Sequence, residues 1–405
     1  MIPNRCSKEV IASVLLEHGK PAEIYLEDVE QQSLLKAIYV GKVQNIVKNI
    51  NAAFIEFEKG QVGYYPLEEL PTAVFTKKLG KQSLVIGDEL LVQVVKEPMK
   101  TKTAVLTTNL NFAGKYFVLT TGRKEIGISG KIKGERKKWL KELVKTNMRS
   151  SKTYGVIVRT NAQEAAEEQL VLELNTLEQS VDRLLKTVSY RTAFSRITEA
   201  DYEYIRLLKN VSFGPQSPDP PLKNSYVEEI VTDDLKLYHQ MKTYLEEFQP
   251  QDIKRLRLYE DPMLPLKKLY NLELGLERAL ESRVWLKSGA YLVIEPTEAF
   301  TVIDVNTGKF DGRKQKSDTF LKINLEAALE TARQMRLRNL SGIILIDFIN
   351  MEKEEDNQRL LNEFRHYVKA DRIQTQVVDM TELGIVEVTR KKERCSLAET
   401  WKHLV

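Results

Sequence analysis

Apolar and polar positions change rhythm several times along the chain. Residues 1–35 alternate in short stretches around Gly19-Lys20-Pro21, which predicts short strands joined by a turn. Over 38–95 the alternating segments 38–40, 53–57 and 90–95 are broken at Gly60, Gly63, Pro66 and Gly87, the spacing of a small all-β barrel. Residues 105–159 predict strands around one basic amphipathic helix near 135–145, closed by Val156-Ile157-Val158 as a buried strand. Leu170, Leu172, Leu174, Leu177, Leu184 and Leu185 make 163–210 strongly helical. Pro215, Pro218, Pro220 and Pro221 then predict a connector over 213–222. Beyond about residue 270 the pattern is mixed: helix near 274–281, strands at 291–294 and 300–305, helix over 325–338, strand at 343–348. No internal repeat or low-complexity tract interrupts it.

Composition narrows the class. A chain of 405 residues predicts two to four domains. With 42% hydrophobic and 29% charged residues it can bury a sizeable core, which excludes disorder as the main state. No apolar run approaches the roughly 18 residues that span a bilayer. The early apolar stretch 10–16 has no cleavage site after it, so no signal peptide is expected. Cys6 and Cys395 lie too far apart in sequence for a disulfide scaffold or a cysteine-only zinc site, and a cytoplasmic protein is the default.

Charge is strongly polarised. From Lys100 to Thr160 fifteen basic residues stand against three acids, a local excess of twelve in a chain whose total is +4. An excess sustained over sixty residues points to a polyanion, and to nucleic acid first; a solvated lysine-rich surface is the plainer alternative.

The densest chemistry lies between Thr297 and Asn350. In the stretch 300–306 the strand period puts Asp304 and Asn306 on one face and Ile303 and Val305 on the other. Asp347 sits inside Ile343-Ile344-Leu345-Ile346-Asp347-Phe348-Ile349, where an ionised carboxylate is costly unless compensated. Asn324 is placed to cap a helix beginning at Leu325, which connects the two acidic strands. If those strands are neighbours, Asp304, Asn306 and Asp347 converge at one edge of a sheet. Two carboxylates beside a neutral amide suit a hard divalent cation, magnesium above all, which uses one or two carboxylates and keeps several waters. The alternative is that each aspartate caps a turn or pairs with Arg333 or Arg336. His18, His239, His366 and His403 are scattered, and no phosphate loop, dinucleotide-binding glycine motif or zinc-histidine pair is present. Metal activation of water is then a more economical source of nucleophile than a histidine base.

Taken together, 300–306, the run Asn324-Leu325-Glu326-Ala327-Ala328 through Arg333-Gln334-Met335-Arg336-Leu337-Arg338, 343–351 (IILIDFINM) and 381–394 (TELGIVEVTRKKER) resemble the bacterial RNase E/RNase G family. The agreement runs from about 36 to about 398 in one order. The resemblance implies a magnesium-dependent, single-strand-specific endoribonuclease of rRNA processing or mRNA decay, leaving 5′-phosphate and 3′-hydroxyl ends, with manganese as a substitute ion. It implies that Asp304 and Asp347 bind magnesium and that Asn306 bonds the scissile phosphate or attacking water. Residues 38–67, through Tyr39-Val40-Gly41-Lys42-Val43, Ala52-Ala53-Phe54 and Gly63-Tyr64-Tyr65-Pro66-Leu67, resemble an S1 motif, an OB-type barrel. Phe54 and Tyr64 fall where the family stacks bases, and Lys102 where it contacts RNA. Arg159-Thr160 matches the family's reader of a 5′-monophosphate, and Gly114 and Val118 match the loop over the terminal nucleotide. A further basic contact of the family falls on Gln374 here, which departs from the pattern.

The implied architecture is α+β and multidomain. An RNase H-like fold is formed by 1–35 and 205–270; an S1 barrel (36–104) and a 5′-sensor region (105–204) are inserted into it. A DNase I-like α/β catalytic subdomain (271–398) and a C-terminal tail (399–405) follow. The family continues from Ser396-Leu397-Ala398-Glu399 into a paired-cysteine zinc link and a small dimerisation domain. Here Cys395 stands alone and the sequence ends at Val405, so the match is to a short RNase G-like member with no zinc expected. A homo-oligomer without that link, a short natural member and a chain that ends early all remain open. The rival functions are a non-catalytic RNA-binding protein that retains the fold and a nuclease acting on DNA.

Overall fold

Alternation of apolar residues at period two governs both main sheets, seen in a computed structural model that describes residues 9–30, 33–81, 83–98, 102–122, 124–149, 154–188, 190–213, 226–308 and 316–405. All of the expected connector beyond Phe213 falls outside the described residues. The chain divides into two compact units, one of residues 1–31, 212–228 and 259–405 and one of residues 32–211 and 229–258. It is a mixed α/β protein.

In the second unit, strands Ile38–Val47, Ala52–Glu58, Gln61–Pro66, Ala104–Thr107 and Glu89–Lys96 pair in that order, and the first also pairs with the last, closing a five-stranded barrel. Its interior is filled by Tyr39, Val43, Ala53, Ile55, Phe57, Tyr65, Leu90 and Leu106. Gly41 and Gly63 are required inside it, because a side chain would run into Ile55 at the first and Leu106 at the second. A four-stranded sheet follows, with helices Gly134–Asn147 and Glu167–Val188 packed on it. In its strand Gly155–Val158 the side chains of Val156 and Val158 are buried but Ile157 is 43% exposed, so the strand is one-sided and not the buried strand expected from its apolar run. The helix expected over 163–210 is interrupted. Arg196–Thr198 leaves the helical path to pair antiparallel with Ile38 and Tyr39, and a shorter helix resumes at Glu203–Asn210.

The first unit holds a hairpin of Val10–Glu17 and Lys20–Asp28 and a six-stranded sheet. The strand order is Arg283–Trp285, Tyr291–Pro296, Phe300–Asn306, Gly342–Asp347, Ile385–Arg390 and Thr375–Met380. Only the Phe300–Asn306 and Gly342–Asp347 pair is parallel, and helix Lys316–Leu337 makes the crossover that a parallel pair needs. This helix and Glu354–Tyr367 cover one face of the sheet over Leu292, Ile294, Ile303, Val305, Ile344, Ile346, Val386 and Val388. The tail forms helix Leu397–Leu404, whose start is a capping box between Ser396 and Glu399. Among the described residues no helix is long and apolar enough to cross a membrane.

Arg390 anchors the far edge of this sheet. It is 4% exposed and donates to Asp371 at 2.7 Å and to Asn339 Oδ1 and the Leu340 carbonyl at 2.8 Å each. These bonds fix the turn that leads into the Gly342–Asp347 strand. Arg390→Ala strands the buried Asp371 charge and should cost about 3–5 kcal/mol of stability, read from the urea midpoint of unfolding.

Candidate active site

Parallel register decides the site. Asp304 is the cross-strand partner of Asp347, so both side chains leave the same face about 4.8 Å apart. That face is opposite the helices. Ile303 is fully buried and Val305 nearly so, whereas Asp304 and Asn306 are half-buried, as the period-two reading requires. Asn306 donates from Nδ2 to Asp304 Oδ2 at 2.7 Å, which turns its amide toward the carboxylate pair.

Asp347 differs from its sequence-based expectation. The surrounding apolar run predicts a costly buried charge, yet Asp347 is exposed at the end of its strand, and Ile343 on the same side is 50% exposed. Within the strand only Ile344 and Ile346 enter the core, because helices cover one face alone. Nor do the arginines weighed above reach the aspartates. Arg333 pairs with Glu330 and the Pro21 carbonyl, and Arg336 pairs with Glu17 at 2.7 Å. Neither aspartate has an ion-pair partner among the described residues.

Asn324 is also reassigned. The helix starts at Lys316, so Asn324 lies inside it, fully buried, instead of capping it. Its Nδ2 donates to the Ile349 carbonyl at 2.7 Å and its Oδ1 accepts from the Ile349 N–H at 3.0 Å. This two-way clamp fixes the chain two residues beyond Asp347. It is a positioning residue, and the only sequence signal was an asparagine where apolar helix spacing called for a core side chain.

Among the described residues no cluster of three or more acids, histidines or cysteines gathers anywhere. The donor set is therefore two facing carboxylates and one amide, which fits magnesium, since that ion completes an octahedron with water. Such a set is poor in nitrogen and sulfur, so it does not fit structural zinc. Cys395 is half-buried.

On the barrel, Phe54 and Tyr64 are cross-strand partners whose rings meet edge to face at 6.3 Å. Both are half-buried on the outer face, while their neighbours Ala53, Ile55 and Tyr65 fill the interior. Lys102 is exposed just before the Ala104–Thr107 strand, which runs beside Tyr64. The helix Gly134–Asn147 buries Leu140, Leu143 and Val144 and leaves Lys137, Lys138, Lys141 and Lys145 in solvent.

Arg159 ends the Gly155–Val158 strand and is half-buried. Its guanidinium donates to the Gly114 carbonyl at 2.5 Å, the Lys209 carbonyl at 3.4 Å and Asn210 Oδ1 at 2.5 Å. Burial lowers its pKa from the usual arginine value. Three of five N–H donors are thereby used, which leaves two for a ligand. Thr160 is exposed, its hydroxyl bonded to Ser129 at 2.9 Å. Val118 is half-buried and pairs with Ile157 and Ala113. Gly114 has a structural reason of its own: a Cβ would collide with the Glu173 carboxylate. That carboxylate accepts the N–H groups of Lys115, Tyr116 and Phe117 at 3.0, 2.7 and 3.0 Å. Burial still pushes the Glu173 carboxyl up, against the pull of those donors. Lys115, 3% exposed, reaches Gln249 at 2.8 Å and Asp252 at 3.5 Å. Gln374 is exposed, and its carbonyl accepts from the Lys391 N–H.

A closed five-stranded barrel in one unit and a carboxylate pair on the helix-free face of a mixed sheet in the other define a multidomain α/β protein. Comparison with known proteins gives the family. The model of the Ribonuclease E/G family matches residues 111–393. Ribonuclease G of Salmonella typhimurium is 31% identical over 393 residues, covering 94% of this chain and 78% of that protein. Ribonuclease G of Haemophilus influenzae is 31% identical over 394 residues, with 95% and 77% covered. Ribonuclease E of a Nostoc species is 32% identical over 409 residues, covering 95% of this chain and 56% of that protein. The chain belongs to the Ribonuclease E/G family.

Two carboxylates directly opposite on adjacent strands repel each other by roughly 0.2–1 kcal/mol in the absence of a cation. Asp347→Asn should therefore raise the melting temperature of the EDTA-treated protein by about 1–4 °C. Added magnesium should stabilise the unaltered protein and not the variant, a comparison made by calorimetry.

Proposed function

We propose that the chain is an endoribonuclease of RNA processing or decay, cutting single-stranded RNA to leave 5′-phosphate and 3′-hydroxyl ends with magnesium at Asp304 and Asp347. The observation that carries this reading is the in-register pairing of those aspartates, with Asn306 turned toward them. When bound, magnesium supplies a Lewis acid that neutralises charge developing on phosphate oxygens and acidifies water at neutral pH. The residues do the rest. Asp304 and Asp347 hold the ion's protein side, and Asn306 orients a phosphate oxygen or the attacking water through an amide already fixed by Asp304. Asn324 keeps the Asp347 strand end in place. Manganese has the same oxygen preference and should substitute.

Substrate grip also draws on other surfaces. Phe54 and Tyr64 offer stacking at about 1–3 kcal/mol per base, tolerant of sequence, and Lys102 adds charge. The exposed lysines of the Gly134–Asn147 helix provide a sequence-independent attraction for phosphates. Arg159 and Thr160, with Gly114 and Val118 forming the adjoining wall, would take a 5′-monophosphate through the two spare guanidinium donors and a hydroxyl. In family terms we assign 1–35 and 205–270 to an RNase H-like part, 36–104 to an S1 barrel and 271–398 to a DNase I-like part.

Asp304→Asn and Asp347→Asn should each slow cleavage of an A/U-rich oligoribonucleotide about a hundredfold or more while RNA affinity stays nearly unchanged. Cleavage at the original rate by both would remove the metal assignment, and intact but bound RNA with the unaltered protein would favour a binding module. A matched DNA oligonucleotide in the same assay separates a DNA nuclease. Thr160→Val, an exposed change, should shrink any preference for 5′-monophosphate over 5′-hydroxyl RNA. Equal cutting of both by the unaltered protein would mean that the pocket does not sense.

A further inference from the structure

The uncovered sheet face carries a second feature beside the carboxylates. Trp285 is the cross-strand partner of Tyr291, and Tyr291 is the partner of Asn306, so the three stand in one row. Arg283 stands in the next row, aligned with Val293, Asp304 and Asp347. Trp285 is 63% exposed, and its ring meets that of Tyr291 at 5.1 Å between centroids with a tilt of 55°. The Arg283 guanidinium lies 4.6 Å over the Tyr291 ring and 5.8 Å from Trp285. No carboxylate pairs with Arg283 among the described residues. An exposed indole is expensive to leave in water, and here it is braced by a ring and a cation instead of being folded into the core. An arginine stacked on a ring keeps its in-plane N–H groups available to phosphate.

We propose that Trp285, supported by Tyr291 and Arg283, is a stacking platform for an unpaired nucleobase flanking the scissile phosphate; this rests on the endoribonuclease reading of Asp304 and Asp347. At about 4.8 Å between strands the Trp285 backbone is about 10 Å from Asn306, the reach of a base attached next to a phosphate held at the aspartates. An indole face accepts any base, and Arg283 meets the negative backbone that such a base brings with it. The platform selects for single strands, because a base inside a duplex has no free face to offer. Its role is binding. It adds nothing to the charge stabilisation at the phosphate.

The experiment uses the full chain and a short oligoribonucleotide with one mapped cleavage site. Trp285→Ala should raise KM about fivefold to a hundredfold, with kcat changed less than about twofold, and Trp285→Phe should recover most of the loss. Removing one base beside the cleavage site should impose a similar loss on the unaltered protein and little further loss on Trp285→Ala. The same pattern should appear in dissociation constants measured in the Asp347→Asn background, which reads binding even if cleavage does not occur. Unchanged KM and Kd in Trp285→Ala overturns the platform, as does equal sensitivity of both proteins to the abasic substrate. A shift in sedimentation with unaltered RNA binding also overturns it, since the patch is then a contact between copies of the chain. Failure of the unaltered protein to cut RNA in magnesium strikes the endoribonuclease reading alone.

Discussion

Two neighbouring strands running in the same direction, in register at Asp304 and Asp347, set what the rest of their sheet must do. Strands that run parallel cannot be joined by a tight turn, so the chain must climb back over the sheet, and helix Lys316–Leu337 makes that return. The helix covers one face and buries Ile303, Val305, Ile344 and Ile346, which forces the alternate residues to the other side. A slip of either strand by one residue would turn its carboxylate into the core. Asn324 guards against local rearrangement by bonding the backbone at Ile349 from within the crossover helix. The repulsion between the two acids is a local cost of the kind that proteins keep at working sites.

Legibility in the sequence followed the range of the interactions. The alternation of Phe300–Asn306 is local, and the faces it assigned to Asp304, Asn306, Ile303 and Val305 are the faces observed. The Gly134–Asn147 helix and the barrel strands were readable for the same reason. Asp347 misled because a run of apolar residues does not tell whether a sheet is covered on one side or two. Asn324 misled because Leu321 and Ile323 extend the helix upstream of a residue that looks like a cap. The break at Arg196–Thr198 depends on pairing with Ile38 and Tyr39, some 160 residues away in sequence, and no window contains it. Arg159, Thr160, Gly114 and Val118 were legible only through the family resemblance. Their spacing alone carried little.

The second unit shows why such a resemblance needs a structure beside it. Gly114 and Arg159 are joined through a carbonyl bond, and Glu173 occupies the space a Gly114 side chain would need. Glu173 also collects three successive backbone N–H groups from the loop that would lie over a terminal nucleotide. One buried carboxylate thus ties the 115–117 backbone to the Glu167–Val188 helix. A substitution at Gly114 would disturb folding and ligand binding together, so loss of sensing in such a variant would say little about contact with phosphate. Thr160, exposed and outside this network, is the cleaner reporter.

On the proposed reading, the open sheet face works against its own carboxylates. Two carboxylates without a cation repel a phosphodiester, and Asp304 and Asp347 face outward where that field is felt. Under that reading, affinity comes from groups that attract RNA with or without an ion: the Phe54 and Tyr64 rings, the lysines of the basic helix and Trp285 braced by Arg283. A purely parallel sheet would have had helices on both faces and the acids sealed inside. Because every pairing but one is antiparallel, the sheet tolerates water on one side, and the two acids stay accessible. Mixed strand direction is in this sense the feature that keeps the two acids of a crossover motif at the surface and out of the core.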